Sequence, residues 1–103
     1  MTASYVLSSA AEADLRAIVR YTRKEWGEAQ TRRYMAKLRD GIQALAAGRG
    51  NFKDMAALYP GLRMVLCEHH YIFCLPRDDD AALVVAILHE RMDLMTRLAD
   101  RLK

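Results

Sequence analysis

Arg63, His89 and Arg91 are of the types from which part of a metal-free ribonuclease's catalytic set can be built. That reaction needs a group to activate a 2′-hydroxyl, another to protonate the leaving oxygen, and cations for the phosphate. Arg63 begins one apolar, strand-like run and His89 ends another, which can bring the two onto one sheet face. A second reading asks less of the same residues. An exposed arginine beside apolar side chains is a common interface anchor. The stretch ILHERMDLMTRL (87–98) offers Arg91, Met92, Leu94, Arg97 and Leu98 in that way, with His89 at its head. A third reading makes His89 a hydrogen-bonded cap on a strand end, and Leu94, Leu98 and Leu102 the packing stripe of a last helix.

Other reactive side chains give weaker signals. The pattern Cys67-x-His69-His70-x-x-x-Cys74 contains zinc-ligating residue types. Its spacing fits no usual finger, and strand alternation sends several of the four to opposite faces. We expect no metal and no cofactor. Tyr71 and Phe73 share a face and are core or partner contacts; Tyr34 lies on the apolar face of a helix and is a further candidate contact. Trp26 packs a helix end or receives a partner side chain. Arg20, Arg23, Lys24, Arg32, Arg33 and Lys37 form a solvated basic face, or one that meets an acidic partner.

The elements that must position these residues follow from period and punctuation. Residues 3–8 read as a short strand. Ser9 with Glu12 fits a capping box, so a helix starts near Ala10. Leu15, Ile18, Val19, Thr22 and Trp26 mark one face of it, and Gly27 ends it. A second helix runs from about 28 to 47 with Thr31, Tyr34, Met35, Leu38, Ile42, Leu45 and Ala46 inward. The short break implies an antiparallel helical hairpin. Residues 48–60 read as a loop and Pro60-Gly61 as a turn. Beyond it the period becomes two, with strands at 62–67 and 71–75 and a reversal at 68–70. Asp78-Asp79-Asp80 is a further reversal. Residues 82–88 form a nearly continuous apolar run, as in a central strand covered on both faces. Asp93 caps a last short helix. The order β-α-α-β-β-β-α predicts an α+β fold: an N-terminal strand, a helical hairpin packed on a mostly antiparallel sheet, and a short C-terminal helix.

A length of 103 residues predicts a single domain, 1–103, able to bury a core without staples. The composition, 52% hydrophobic and 28% charged, argues against disorder. No apolar run reaches membrane-spanning length, and the first residues lack the pattern of a secretory signal. A cytoplasmic protein with reduced cysteines is expected. A net charge of +3 permits an acidic partner or nucleic acid without selecting either.

Four stretches in this order resemble the ParE/RelE superfamily of bacterial toxins across essentially the whole chain. They are YVLSSAAEADLRAIVRYTRKEWG (5–27), YPGLRMV (59–65), HHYIFCL (69–75) and ILHERMDLMTRL (87–98). A first helix ending in Trp-Gly and a strand running into Leu-His-x-Arg-Met-Asp are similar to the ParE branch. That resemblance implies the toxin of a type II toxin–antitoxin system, acting by binding. It implies DNA gyrase, through its A subunit, as target, with loss of replication, and toxicity carried by the C-terminal segment. It also implies neutralisation by a ParD-like antitoxin, for which Trp26, Tyr34, Tyr71 and Phe73 are the candidate contacts. Sequence-specific nucleic-acid binding is not expected. RelE-type relatives share the fold and cleave messenger RNA on the ribosome, which would make Arg63, His89 and Arg91 catalytic. Against that alternative, Glu90 stands where some of those nucleases carry a tyrosine, and the dense lysine run of RelE proper is missing. A degenerate member retaining only antitoxin binding is the third alternative.

Overall fold

The computed structural model describes residues 4–78 and 80–102. Ala3 of the expected first strand and Asp79 of the expected reversal lie outside them. The elements are β1 (Tyr5–Leu7), α1 (Ser9–Ala47), β2 (Lys53–Asp54), β3 (Arg63–Cys67), β4 (His70–Arg77), β5 (Asp80–His89) and α2 (Leu94–Arg101). The sheet order is β1-β5-β4-β3-β2. The β1–β5 pairing is parallel, and β5–β4, β4–β3 and β3–β2 are antiparallel.

α1 is the predicted hairpin. Its backbone is broken at Gly27, where φ 84° and ψ 174° leave helical space and suit a residue without Cβ. A straight helix of 39 residues would run about 58 Å, well beyond the molecule's longest extent of 38 Å. The two arms, 9–26 and 28–47, therefore double back. Both feed one core: Ala11 and Ile18 from the first, Leu38, Ile42 and Leu45 from the second, against Ile72, Cys74, Val84 and Ile87. The start differs from expectation by one residue. Ser8, not Ser9, is the N-cap, its hydroxyl accepting from the Ala11 N–H at 3.1 Å. Ser8 is also held to β5, its N–H donating to the Val84 carbonyl, and that tie fixes where the helix begins.

The opposite face of the sheet has its own core: Leu62, Phe73, Val85, Ala86, Leu88 and Leu98, flanked by Met55, Met64 and Tyr71. β5 is covered on both faces, as its apolar run predicts. Its register slips by one between Phe73 and Cys74, so Val85 is extra and Val85 and Ala86 both serve the second core. β2 was not expected; two exposed residues of the predicted loop pair with Met64 and Arg63. β4 extends past the predicted 75 to Arg77, with Pro76 accommodated at a second register irregularity. Among the described residues no helix is long and apolar enough to cross a membrane.

Candidate functional site

The C-terminal corner is built from the end of β5, the turn after it, and α2. His89 closes β5 opposite His70. Its Nδ1 accepts the Arg91 backbone N–H at 3.1 Å, and its carbonyl accepts the Met92 N–H at 3.0 Å. His89 is thus the hydrogen-bonded cap of the turn that presents Arg91 and Met92. Asp93 then caps α2, accepting from Thr96 N–H and hydroxyl. Those bonds hold the Asp93 carboxyl below its ordinary pKa.

α2 is fixed by one leucine and one ion pair. Leu98 is 1% exposed inside the second core, with Leu94 and Leu102 packed beside it. Arg101 makes a bidentate pair with Asp14 of α1, both contacts 2.8 Å, and also donates to the Val85 carbonyl at 3.0 Å. The Asp14 carboxylate in turn accepts the Ile87 backbone N–H at 3.0 Å. β1 pairs with β5 only up to Val84. Beyond that point two side chains, from helices on opposite faces of the sheet, take the place of a neighbouring strand. Its hydrogen bonds to the Asp14 carboxylate raise the Arg101 pKa further, so the guanidinium stays charged. Sequence reasoning missed this clamp. Its signal was there: Asp14 stands four residues before buried Ile18, and Arg101 three after buried Leu98, so both charges lie on apolar stripes.

Beside the corner sits an aromatic and imidazole cluster. The Tyr34 hydroxyl accepts the His69 N–H at 3.1 Å and lies 2.6 Å from His70 Nδ1. The His70 and His89 rings meet edge to face, centroids 5.1 Å apart, and His69 stacks toward His89 at 6.5 Å. Burial, then His89 and His69, push the His70 pKa down to about 4, so this ring is neutral. Burial raises the Tyr34 hydroxyl. Glu90 is drawn below its ordinary value chiefly by its 2.7 Å hydrogen bond to His69. Every imidazole here is tied down by a local partner. No described group of three or more His, Cys, Asp or Glu side chains is placed to hold a metal ion.

The candidate ribonuclease set is not assembled. Arg63 and His89 share the α1 side of the sheet but stand at opposite ends of it. Arg63 lies across from Cys74 and so from Val84, five residues before His89; at roughly 3.3 Å per residue that is about 16 Å along the strands alone, with β4 lying between. Arg63 is otherwise occupied. It donates to the Leu45 carbonyl at 3.1 Å and lies 4.8 Å over the Phe52 ring, placing its charge at the C-terminal end of α1.

The other expected contacts divide by exposure. Arg91, Met92 and Arg97 are exposed, with Met92 at 44%; Met95, not singled out from the sequence, is 51% exposed beside them. Leu94 is half-buried. Leu98 and Phe73 (0% exposed) are core and offer no surface in this conformation, because Phe73 is roofed by the second core that α2 closes. Tyr34 and Tyr71 are half-buried, Tyr34 within the histidine cluster. Trp26 is 69% exposed at the hairpin tip and does not pack the helix end as one reading had it, since Gly27 turns the chain away immediately after it.

A family model described as the ParE toxin of the type II toxin–antitoxin system, parDE, matches residues 5–94. The chain is 73% identical over 103 residues to "Toxin ParE" of Escherichia coli, covering 100% of this chain and 99% of that protein. It is 32% identical over 94 residues to "Toxin ParE1" of Mycobacterium tuberculosis, covering 91% and 96%. A solved structure titled "Chromosomal ParDE TA system from P. aeruginosa" superposes with a TM-score of 0.66 over 85% of this chain and 96% of that one. Its 17% identity makes this a likeness of fold. The α+β architecture and the family match agree, and the chain belongs to the ParE toxin family of type II toxin–antitoxin systems.

Proposed function

We propose that this toxin acts in the cytoplasm by binding DNA gyrase, through its A subunit, and that the C-terminal corner is the docking surface. The observation that carries the reading is the posture of Arg91, Met92, Met95 and Arg97. They stand exposed on a turn and helix that Leu98 and Arg101 fix to the sheet. Two arginines and two methionines held on a rigid element have the character of interface anchors, and rigidity lowers the ordering cost of docking. A cognate antitoxin neutralises the toxin by covering apolar surface that the free chain leaves open. Candidate seats are Trp26 and Tyr21 near the hairpin tip and the groove of about 410 Å³ between β1 and the first arm, floored by Leu7, Leu15 and Val19.

The test is a gyrase supercoiling and cleavage assay with toxin freed of antitoxin, run beside a translation reaction carrying a reporter message. Accumulation of cleaved DNA with intact message is expected, and it should vanish in Met92→Glu with Met95→Glu while the fold persists. Cut message with normal supercoiling would transfer the function to ribosome-dependent RNA cleavage.

A further inference from the structure

The positive charge of this chain is not spread evenly. Eight of its 16 lysines and arginines fall between residues 16 and 39, together with only two of its 13 acids. That segment carries +6, and the rest of the chain is net negative at −3. All eight cations are exposed. On the first arm of α1 the four are Arg16, Arg20, Arg23 and Lys24. At about 100° per residue they lie within roughly 60° of the point opposite buried Ile18, on the side of the arm away from the core, with Arg16 and Arg20 also lining the groove beside β1. Arg16, Arg20 and Lys24 follow one another at four-residue intervals, a straight row with steps of about 6 Å. Among the described residues, Arg20 and Lys24 have no carboxylate at ion-pair distance, whereas Arg23 is 2.9 Å from Glu28.

We infer that this outward face is a sequence-independent contact surface for the phosphate backbone of duplex DNA. A pI of about 9.1 with the cations gathered on one helix face is the electrostatic footprint of a nucleic-acid binder. Two features select the partner. The ridge itself has no large apolar residue; Ala13 precedes its first cation and Ala17 lies between Arg16 and Arg20. A protein interface needs apolar or aromatic anchors at its centre and is depleted in lysine; phosphates need only positive charge. The exposed aromatics Tyr21 and Trp26 are about 100° and about 120° around the helix from the middle of the row, so they do not interleave with it as a stacking platform for unpaired bases would require. Phosphate contact without base contact is the chemistry of duplex backbone binding. The inference stands apart from the gyrase reading, because it concerns the isolated chain and DNA alone.

The test measures fluorescence anisotropy of a labelled 20-base-pair duplex with the full chain, refolded free of antitoxin, across rising salt. Affinity should be the same for unrelated sequences and should fall steeply with salt, since each phosphate contact contributes about 0.9 to the slope of log K against log salt. Arg20→Gln with Lys24→Gln should flatten that slope by about 2. Lys53→Gln with Arg77→Gln, which removes the same charge elsewhere, should leave it nearly unchanged. Circular dichroism checks that both variants keep the fold. The inference is overturned if no binding is seen at about 50 mM salt, or if both double variants flatten the slope equally. It is overturned too if single-stranded nucleic acid or poly-glutamate binds more tightly than the duplex.

Discussion

Exchanging Asp14 and Arg101 separates two accounts of how the C-terminal helix is held. If the attraction of opposite charges were enough, Asp14→Arg with Arg101→Asp would restore what either single change removes. The geometry says otherwise, because the pair is asymmetric. Asp14 accepts the Ile87 N–H, and Arg101 donates to the Val85 carbonyl. After the exchange a guanidinium would confront an N–H donor and a carboxylate would confront a carbonyl oxygen, each left without a partner. The side chains of Arg101 and Asp14 are only 20% and 14% exposed, so the backbone groups behind them are poorly placed to turn to water.

Arg101→Gln strips the carboxylate of its bidentate partner while leaving it mostly shielded, and should cost about 2–3 kcal/mol, below the 3–5 kcal/mol of a fully buried pair. The exchange should cost at least as much, since it adds two mismatched hydrogen-bonding groups at about 1 kcal/mol or more each to whatever the restored pair returns. For a domain of this size that is a fall in Tm of roughly 10 °C or more. The assay is urea and thermal unfolding at neutral pH, with hydrogen exchange of the α2 amides to show that loss begins there. A swapped variant within about 0.5 kcal/mol of the original would refute the reasoning and reduce the clamp to a simple ion pair.

Three further perturbations follow from the same geometry. His70 takes its proton at about 4 in the folded chain, against 6.5 for an unperturbed imidazole such as the unfolded chain presents. Between those values the unfolded chain binds the extra proton, so stability rises with pH across about 4–6.5 and is lost as pH falls through that window, on the order of 2–3 kcal/mol. His70→Phe should flatten that part of the stability–pH curve; an unchanged slope would show that another group titrates. Leu98→Ala should destabilise by about 2–3 kcal/mol, the low end for a buried leucine because a short peripheral helix can settle over the gap; equilibrium unfolding that moves by less than about 1 kcal/mol would mean α2 is not docked in solution. Arg63→Met should cost about 1–2 kcal/mol through the lost contact at the end of α1, yet leave target inhibition per folded molecule intact. Inhibition that disappears from a fully stable Arg63→Met protein would return Arg63 to the functional site.

The fold was legible where one physical rule dominated. The change from a period of 3.6 to a period of two located both arms of α1 and strands β3 to β5. Gly27 announced the hairpin, because few other residues tolerate the positive φ that the break requires. Legibility failed where tertiary partners decided the outcome. Ser8 and Ser9 are equally good caps by type, and only the bond from Ser8 to β5 chooses between them. The pairing of Lys53–Asp54 depends on β3 lying alongside, which no local pattern reveals. In the candidate site, Arg91, Met92 and Arg97 are exposed as a docking role requires. Leu98 and Phe73 read identically as anchors or core until both are found in one cluster. The proximity of Arg63 to His89 could not be judged, because strand order and register, not strand ends, set which residues face each other.

Strand register also limits what kind of toxin this chain can be. Bringing Arg63 to His89 would require sliding β3 against β4 by several residues, and a slip of even one reverses which side chains face α1. On β3, Val65 and Cys67 pack on one core and Met64 on the other, so that slip would take its side chains out of both. No lid or loop closure brings the two residues together at lower cost, because both sit on strands of one hydrogen-bonded sheet. The histidines that remain at the corner are each held by a neighbour: His69 by Glu90, His70 by Tyr34, His89 by the Arg91 amide. What these contacts accomplish together is a fixed turn from which exposed side chains project. A surface of that kind suits the proposed docking, and Leu98 with the Asp14–Arg101 clamp holds α2 rigid beneath it, which lowers the ordering cost such docking would carry.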